Sequence, residues 1–341
     1  MIGNWLPRIV LLGVLLAGTA PAEAQVAVGT VHGSISYGSS GYTRVNGWVA
    51  YIDLTSHLFI PVVTEPAPPP CTLPKGTVLM QRTNRFASLS HTLVAITANT
   101  GPETPPEGAC ATPDGLIISD GVAVNPAQEE GPVLFFDANG NATIVLGTPV
   151  SGVARNAVAG TTTTGNDCGG TQLGTLLVKE GEPGACPIPK STVIAPRGAI
   201  GLDKDGTTLI FAIIVGVEDT TGHKTAIGLK TADFAKLMIG LGAYNAVNFD
   251  GGGSTAFIWS PPPDPPAASP RLVQMIEQAA FPHHQLNPYK LNFSGSVKEV
   301  GKPHISNSRC TRGLKGCDSS NKTFRPVYAG FGLRFLPGTQ K

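Results

Sequence analysis

The chain has 341 residues, a formal net charge of +1 and 14% charged residues, with 42 glycines and 30 prolines. That length is enough for a sizeable core, and a near-neutral balance excludes nucleic acid as a bulk electrostatic partner, which needs a basic face. Few charges beside so much glycine and proline exclude a helical bundle and point to a β- and turn-rich protein.

The first residues read as a targeting segment. Arg8 gives one positive charge, Ile9 to Ala17 is an apolar run too short to span a membrane, and Ala22-Glu23-Ala24 is a small-x-small cleavage pattern. We therefore expect residues 1–24 to be a signal peptide and the mature chain to be exported, periplasmic or secreted, with no later transmembrane segment. Six cysteines follow: Cys71, Cys110, Cys168, Cys186, Cys310 and Cys317. An even count in an exported chain suggests disulfides. Order along the chain favours Cys71–Cys110, Cys168–Cys186 and Cys310–Cys317, and the spacings match no zinc site.

Trp48 to Leu54 and Leu58 to Val63 read as two strands of a hairpin across Thr55-Ser56-His57. Arg85 to Leu89 is a short helix candidate, and Thr92 to Asn99 a buried strand that ends at Asn99. Gly115 to Gly121 and Val133 to Gly140 are strand-and-turn units, the second returning through Ala142 to Leu146 after an Asn-Gly turn signal. The small and polar stretch Val153 to Leu177 reads as an ordered loop.

Arg197 to Gly206 is a strand and turn, and Leu209 to Val215 is apolar on both faces, as a central strand requires. Next comes the one convincing helix. Thr231 is its expected N-cap, Asp233 sits in the first turn, and Gly242 ends it. Phe234, Leu237, Met238 and Leu241 form one buried stripe at helical spacing. The helix feeds Ala243 to Phe257, a strand that runs into Gly251-Gly252-Gly253 and leaves as another strand. Alternation puts Val247 and Phe249 on one face and Asn248 and Asp250 on the other. Three glycines allow positive φ and bare their amides to a ligand. Residues 261–322 read as a loop-rich insertion, and Arg325 opens a closing strand to Phe335. We read the whole as α+β: a β-rich single domain over 25–341, with a large twisted mixed sheet, few helices and long Gly/Pro loops.

Several chemistries can be weighed on these residues. Gly252-Gly253-Ser254 nearly matches a serine-hydrolase elbow, but that elbow needs a helix after the serine, and Phe257-Ile258-Trp259 followed by prolines cannot build one. No lysine follows the glycines, so a phosphate loop of the Walker type is poorer still. His283 and His284 are adjacent, and their rings diverge in any regular structure. Arg197, after Pro196 at a strand start, and Arg325 are better placed, because a guanidinium grips phosphate with two prongs and keeps its charge.

Tyr244 to Thr255, Y-N-A-V-N-F-D-G-G-G-S-T, resembles the signature of the phosphodiester glycosidase family. Other segments resemble that family in the expected order. They are Val94 to Asn99, Asp114 to Gly121, Ala195 to Gly201 as A-P-R-G-A-I-G, and Arg325-Pro326-Val327. The resemblance covers most of residues 45–335. It implies hydrolysis of a sugar-1-phosphodiester, with Asp250 and Arg197 catalytic and with Asn99, Asn248, Gly251, Gly252, Gly253, Ser254 and Arg325 binding substrate. The leaving group is a phosphate monoester with its second pKa near ~6, so it needs charge stabilisation more than a strong acid. Arg197, Arg325 and the glycine amides would hold the phosphate. Asp250 would activate water or stabilise positive charge at the anomeric carbon, and Asn99 and Asn248 would orient sugar hydroxyls. No cofactor is required, although a divalent cation such as calcium could sit at Asp250. Thr97, Thr100-Gly101, Gly198 and Val215-Gly216-Val217 depart from the family pattern, the last replacing a D-G-R. They motivate a second reading, a glycan-binding envelope protein that has lost turnover. An exported serine esterase using Ser254 is the third.

Overall fold

Long alternating strands organise the molecule. The computed structural model of the protein describes residues 26–36, 42–69, 71, 76–99, 101, 105–126, 131–147, 154–160, 176–184, 194–215, 217–218, 224–226, 228–261, 271–272, 274–275, 293–299, 304–307 and 326–336. Val26–Ser36 and Tyr42–Asp53 pair antiparallel along their whole length, from Val26↔Ile52 to Ser36↔Tyr42. They join a ten-stranded sheet. Its path runs Glu182–Pro183, Val178–Lys179, Asn245–Phe249, Arg197–Leu202, Thr208–Val215, Tyr42–Asp53, Val26–Ser36 and Phe293–Glu299. Val217–Glu218 and Lys224–Ala226 lie off that path. Every pairing is antiparallel except the bridge Ala226↔Arg44.

Two five-stranded sheets complete the fold. One orders His304–Asn307, Ala256–Trp259, Val94–Thr97, Gly330–Phe335 and Phe59–Val63; the other orders Ala142–Leu146, Pro132–Asp137, Ala154–Ala159, Ile117–Ser119 and Val122–Asn125. One core cluster takes side chains from all three sheets, including Phe211, Ile213, Phe249, Ile96, Phe257, Phe331, Leu134 and Phe136. Phe331 stands at the junction, stacked 5.8 Å from Phe136 and 5.7 Å from Phe211. The opposite face of the large sheet is closed by α2 (Thr231–Gly240), whose Phe234, Leu237 and Met238 are buried. Each such side chain contributes roughly 1.5–3 kcal/mol through removal from water. Thr208–Val215 is buried throughout because it serves both cores: Leu209, Phe211, Ile213 and Val215 face one, Ile210, Ala212 and Ile214 the other.

Most expected elements are present, including α1 (Thr83–Leu89) and the hairpin of Pro132–Asp137 with Ala142–Leu146. In that hairpin the Asn141 side-chain amide, helped by the Asn141, Asn139 and Gly140 N–H groups, holds the Asp137 carboxyl below the usual range. Four expectations are corrected. Trp48–Leu54 and Leu58–Val63 do not pair, because both edges of Tyr42–Asp53 are occupied by Val26–Ser36 and Thr208–Val215. A 3-10 turn at Leu54–Ser56, capped by the Asp53 carboxylate on Thr55 N–H (2.9 Å) and released through His57 at φ 52°, sends the chain into another sheet. Lys230 holds the N-cap position of α2 without a side-chain capping bond, so Thr231 is already helical. The expected loop 153–177 contains the strand Ala154–Ala159, central in its sheet. The expected insertion 261–322 contains Phe293–Glu299 and His304–Asn307, each paired into a sheet. Residues 1–24, Cys168, Cys186, Cys310, Cys317 and Arg325 lie outside the described residues. Cys71 and Cys110 form a disulfide, the chemistry of an oxidising compartment. Among the described residues no helix is long and apolar enough to cross a membrane.

Candidate active site

The site grows from the ends of two neighbouring strands. Asn245–Phe249 sends Val247 and Phe249 into the inter-sheet core, which fixes its register, and leaves Asn248 and Asp250 half-buried on the opposite face. Arg197–Leu202 runs antiparallel beside it, from Leu202↔Asn245 to Gly198↔Phe249. The register ends at that pair, and Arg197 and Asp250 are the next positions along the two strands. Positions facing each other across such a pair have Cβ atoms roughly 4.5–5.5 Å apart. The sequence order that separates these residues is undone by strand pairing.

Both partners are held from behind. Arg197 Nε donates to the Leu229 carbonyl at 3.1 Å, and Leu229 is itself tied to Ala195 by two backbone bonds of 2.9 and 3.2 Å. Arg197 Nη1 comes 3.9 Å from the point where a Cβ on Gly251 would lie, so the guanidinium reaches the glycine turn. The Asp250 N–H donates to the Ala98 carbonyl at 2.8 Å, which anchors the acid's backbone to the segment carrying Asn99.

The glycines divide their roles. Gly251 is extended at φ −118°, and a Cβ there would meet the Pro196 carbonyl oxygen at 2.9 Å. Gly252 alone takes the left-handed region, at φ 60°, and opens a 3-10 turn to Ser254. Its N–H donates to the Pro196 carbonyl at 3.0 Å. The Gly252 amide is thus already engaged within the protein. The expectation that all three glycines present their amides is narrowed accordingly.

A buried pair of hydroxyls fixes the far end of the turn, and sequence reasoning missed it. Thr97 Oγ1 donates to the Ser254 carbonyl at 2.7 Å and lies 2.8 Å from Thr83 Oγ1, which must then be the donor of the second bond. Both threonines are fully buried. The only trace in the sequence is that Thr97 departs from the family pattern.

Asn99 is fully buried, 3.6 Å from where a Cβ on Gly115 would stand. It therefore lies at the base of the site, under the Gly115 loop that Asn125 Nδ2 holds through the Pro113 and Gly115 carbonyls at 2.8 and 2.7 Å. Gly101 is covered by the Tyr328 ring, which leaves no room for a Cβ. Ser254 is half-buried and is followed by the strand Ala256–Trp259, so the strand-to-helix elbow of a serine hydrolase is not built here. Val215, at the first position of the lost D-G-R, points into the inter-sheet core. Among the described residues no group of three His, Cys, Asp or Glu side chains is placed to hold a metal ion. A groove of about 240 Å³ lies apart from these residues, beside Val62, α1 and Asp120, and none of the predicted site residues lines it.

No curated protein matches the chain. In fold it resembles the zebrafish N-acetylglucosamine-1-phosphodiester alpha-N-acetylglucosaminidase catalytic domain auto-inhibited by its pro-peptide. The identity is 17%, the TM-score 0.54, and the match covers 94% of this chain and 85% of that one. A Synechocystis protein of known crystal structure is similar at 14% identity and a TM-score of 0.50, over 90% of this chain and 62% of that one. The phosphodiester glycosidase model matches residues 91–275, more than half of the sequence and inclusive of Asn99, Arg197 and the Asp250 turn. The chain belongs to the phosphodiester glycosidase family.

Proposed function

We propose that this protein hydrolyses sugar-1-phosphodiester linkages of an exported or envelope glycan. The observation that carries the reading is that Arg197 and Asp250 both follow the last register pair of two paired strands, and that the Arg197 guanidinium reaches the Gly251 turn. Arg197 would supply a fixed positive charge to the phosphate, joined by backbone N–H groups of the glycine turn. Arg325, adjoining Pro326, which pairs with Arg82, is the second cation of the proposal. Asp250 faces the anomeric carbon, where it activates water or stabilises developing positive charge. Asn248 and Asn99 orient the sugar. If the C–O bond breaks, water adds to the anomeric carbon and the phosphate monoester departs as an anion without a strong general acid; if the P–O bond breaks, water adds to phosphorus and the sugar hydroxyl departs with a proton. A divalent cation such as calcium at Asp250 would find no group of three His, Cys, Asp or Glu side chains there among the described residues, whereas calcium takes six to eight oxygens. The mechanism is therefore written with the chain's own groups. The Cys71–Cys110 disulfide supports the exported setting.

The test is release of sugar and phosphomonoester from a panel of sugar-1-phosphodiesters. Asp250→Asn should lower turnover by about 10²–10⁴-fold, the range of a lost acid–base group. Equal turnover by both proteins would remove Asp250 from the mechanism. Hydrolysis in heavy-oxygen water then assigns the broken bond.

A second reading is a glycan-binding protein of the same fold without turnover, favoured by the burial of Val215 in an apolar core where the family pattern has a charge. Saturable binding of a phosphoglycan with no product over long incubation would select it.

A further inference from the structure

The groove of about 240 Å³ beside the second sheet has no part in the chemistry above. One wall is the edge strand Phe59–Val63, which pairs only with Gly330–Phe335 among the described residues. Pro61 sits in this strand and has no N–H to give an incoming strand, so the edge is guarded against peptide addition. The other wall is the turn at Ser119–Asp120 with Arg155 and Asn156.

The lining is polar but balanced in charge. Glu65 and Asp120 stand against Arg155 and Arg334, and Arg155 Nε already donates to Asp120 at 2.9 Å. Such a surface offers a phosphate no net attraction, unlike the Arg197 turn. Its polar groups are nonetheless preset. Asn156 is buried, and its Oδ1 accepts the Asp120 N–H at 3.0 Å, leaving the NH2 of the same amide as a donor. Ser119 Oγ donates to the Val63 carbonyl at 3.3 Å. Gln81 and Ser90 add an amide and a hydroxyl. Beside them lies apolar surface from Val62 and from Leu89, which is 61% exposed although it is a large hydrophobe.

Fixed donors and acceptors without net charge, set against an apolar strip, match a neutral polyol ring with a hydroxyl edge and a C–H face. We infer that this groove binds a neutral oligosaccharide segment, as a site separate from the phosphate-facing turn. It goes beyond the proposed hydrolysis and does not depend on it, since binding here needs no turnover. Thr64 in the groove exchanges backbone and hydroxyl bonds with Gly330 (3.2 and 2.8 Å), and Gly330 pairs with Thr97. The groove wall is thus two strand spacings, roughly 10 Å, from the residue that pins the turn.

The experiment is an NMR titration of the purified protein with neutral tetrasaccharides (chitotetraose, cellotetraose and maltotetraose) and, as charged comparator, glucose-1-phosphate. At least one neutral sugar should give saturable shifts at the amides of Gln81, Asp120, Arg155 and Asn156. The substitutions Gln81→Ala, at a half-buried position, and Leu89→Ala, at an exposed one, should together weaken that binding at least tenfold with the protein still folded. Asp250→Asn should leave it intact, which separates this site from the hydrolytic one. No shift with any of the three neutral sugars, tighter groove binding of glucose-1-phosphate, or unaltered affinity in the double variant would overturn the inference.

Discussion

In the proposed chemistry Arg197 would act through geometry as much as through charge. Its Nε is committed to the Leu229 carbonyl, and that bond aims the rest of the fork at Gly251. Lysine keeps the charge and loses both the anchor and the paired donors. Arg197→Lys should therefore lower kcat/KM by roughly 30-fold, the equivalent of about 2 kcal/mol for a hydrogen bond to a charged group, measured on the diester that the wild type cleaves best. A fall in KM alone would argue against a phosphate-holding role. Tyr51 makes a different point at the same scale. It is wholly buried in the second core, its hydroxyl has no partner among the described residues, and burial pushes its ionisation well above the ordinary range. An unmade hydrogen bond of this kind costs about 1–3 kcal/mol. Tyr51→Phe should thus leave stability equal or raise it by about 1 kcal/mol. In the unfolded chain the phenol ionises near pH ~10, while the fold holds it neutral. The stabilising difference is complete below that pH and is lost as pH rises beyond it, so denaturant melts above about pH 10 should show wild type falling faster than Tyr51→Phe.

At the scale of elements, the turn after Phe249 is held at both ends: Gly252 N–H on the Pro196 carbonyl, and the Ser254 carbonyl on Thr97. Thr97→Val keeps the shape and deletes the hydroxyl, which leaves Thr83 and the Ser254 carbonyl without that partner. Amide exchange at Gly252 and Ser254, the hydrogen-bonded amides of the turn, should quicken about tenfold, the loss of one net hydrogen bond, while Thr97→Ser should restore the wild-type rate. Unchanged exchange in Thr97→Val would mean that the backbone alone sets the turn. This pair was invisible in the sequence because two threonines fourteen positions apart have no pattern in common. The glycine run was visible because three missing Cβ atoms in a row have few structural uses. The same contrast separates α2 from Ala154–Ala159. A stripe at helical spacing announced the helix, whereas Ala-Arg-Asn-Ala-Val-Ala lacks the bulky alternation of a strand and is one only because two neighbours pair with it. Phe59–Val63 was legible as a strand, but its partner comes from the far end of the chain, and periodicity names no partner.

For the whole molecule, three sheets share one core around Phe331, and that arrangement brings the segment after Val94–Thr97 against the Asp250 backbone. Composition points to the β-rich class, and the family motifs nominate candidate site residues in order. Their convergence follows from sheet order, which no local pattern contains. The segments that flank α1 and Val94–Thr97 carry little regular structure of their own among the described residues, where Val78–Leu79 pairs only with Cys110–Ala111. The Cys71–Cys110 bond joins these segments, with a sequence separation of 39 and Cα atoms 5.7 Å apart. A loop of that size removes chain entropy from the unfolded state worth about 4 kcal/mol. Replacing both cysteines by serine should lower the unfolding free energy by that order in urea melts, with an unchanged slope if the native fold persists. Wild type in reductant should fall to the same midpoint if the other four cysteines are unpaired, and below it if they also form bridges. An unshifted midpoint in the double variant would show that pairing of Val78–Leu79 with Cys110–Ala111 already confines these segments without the covalent link.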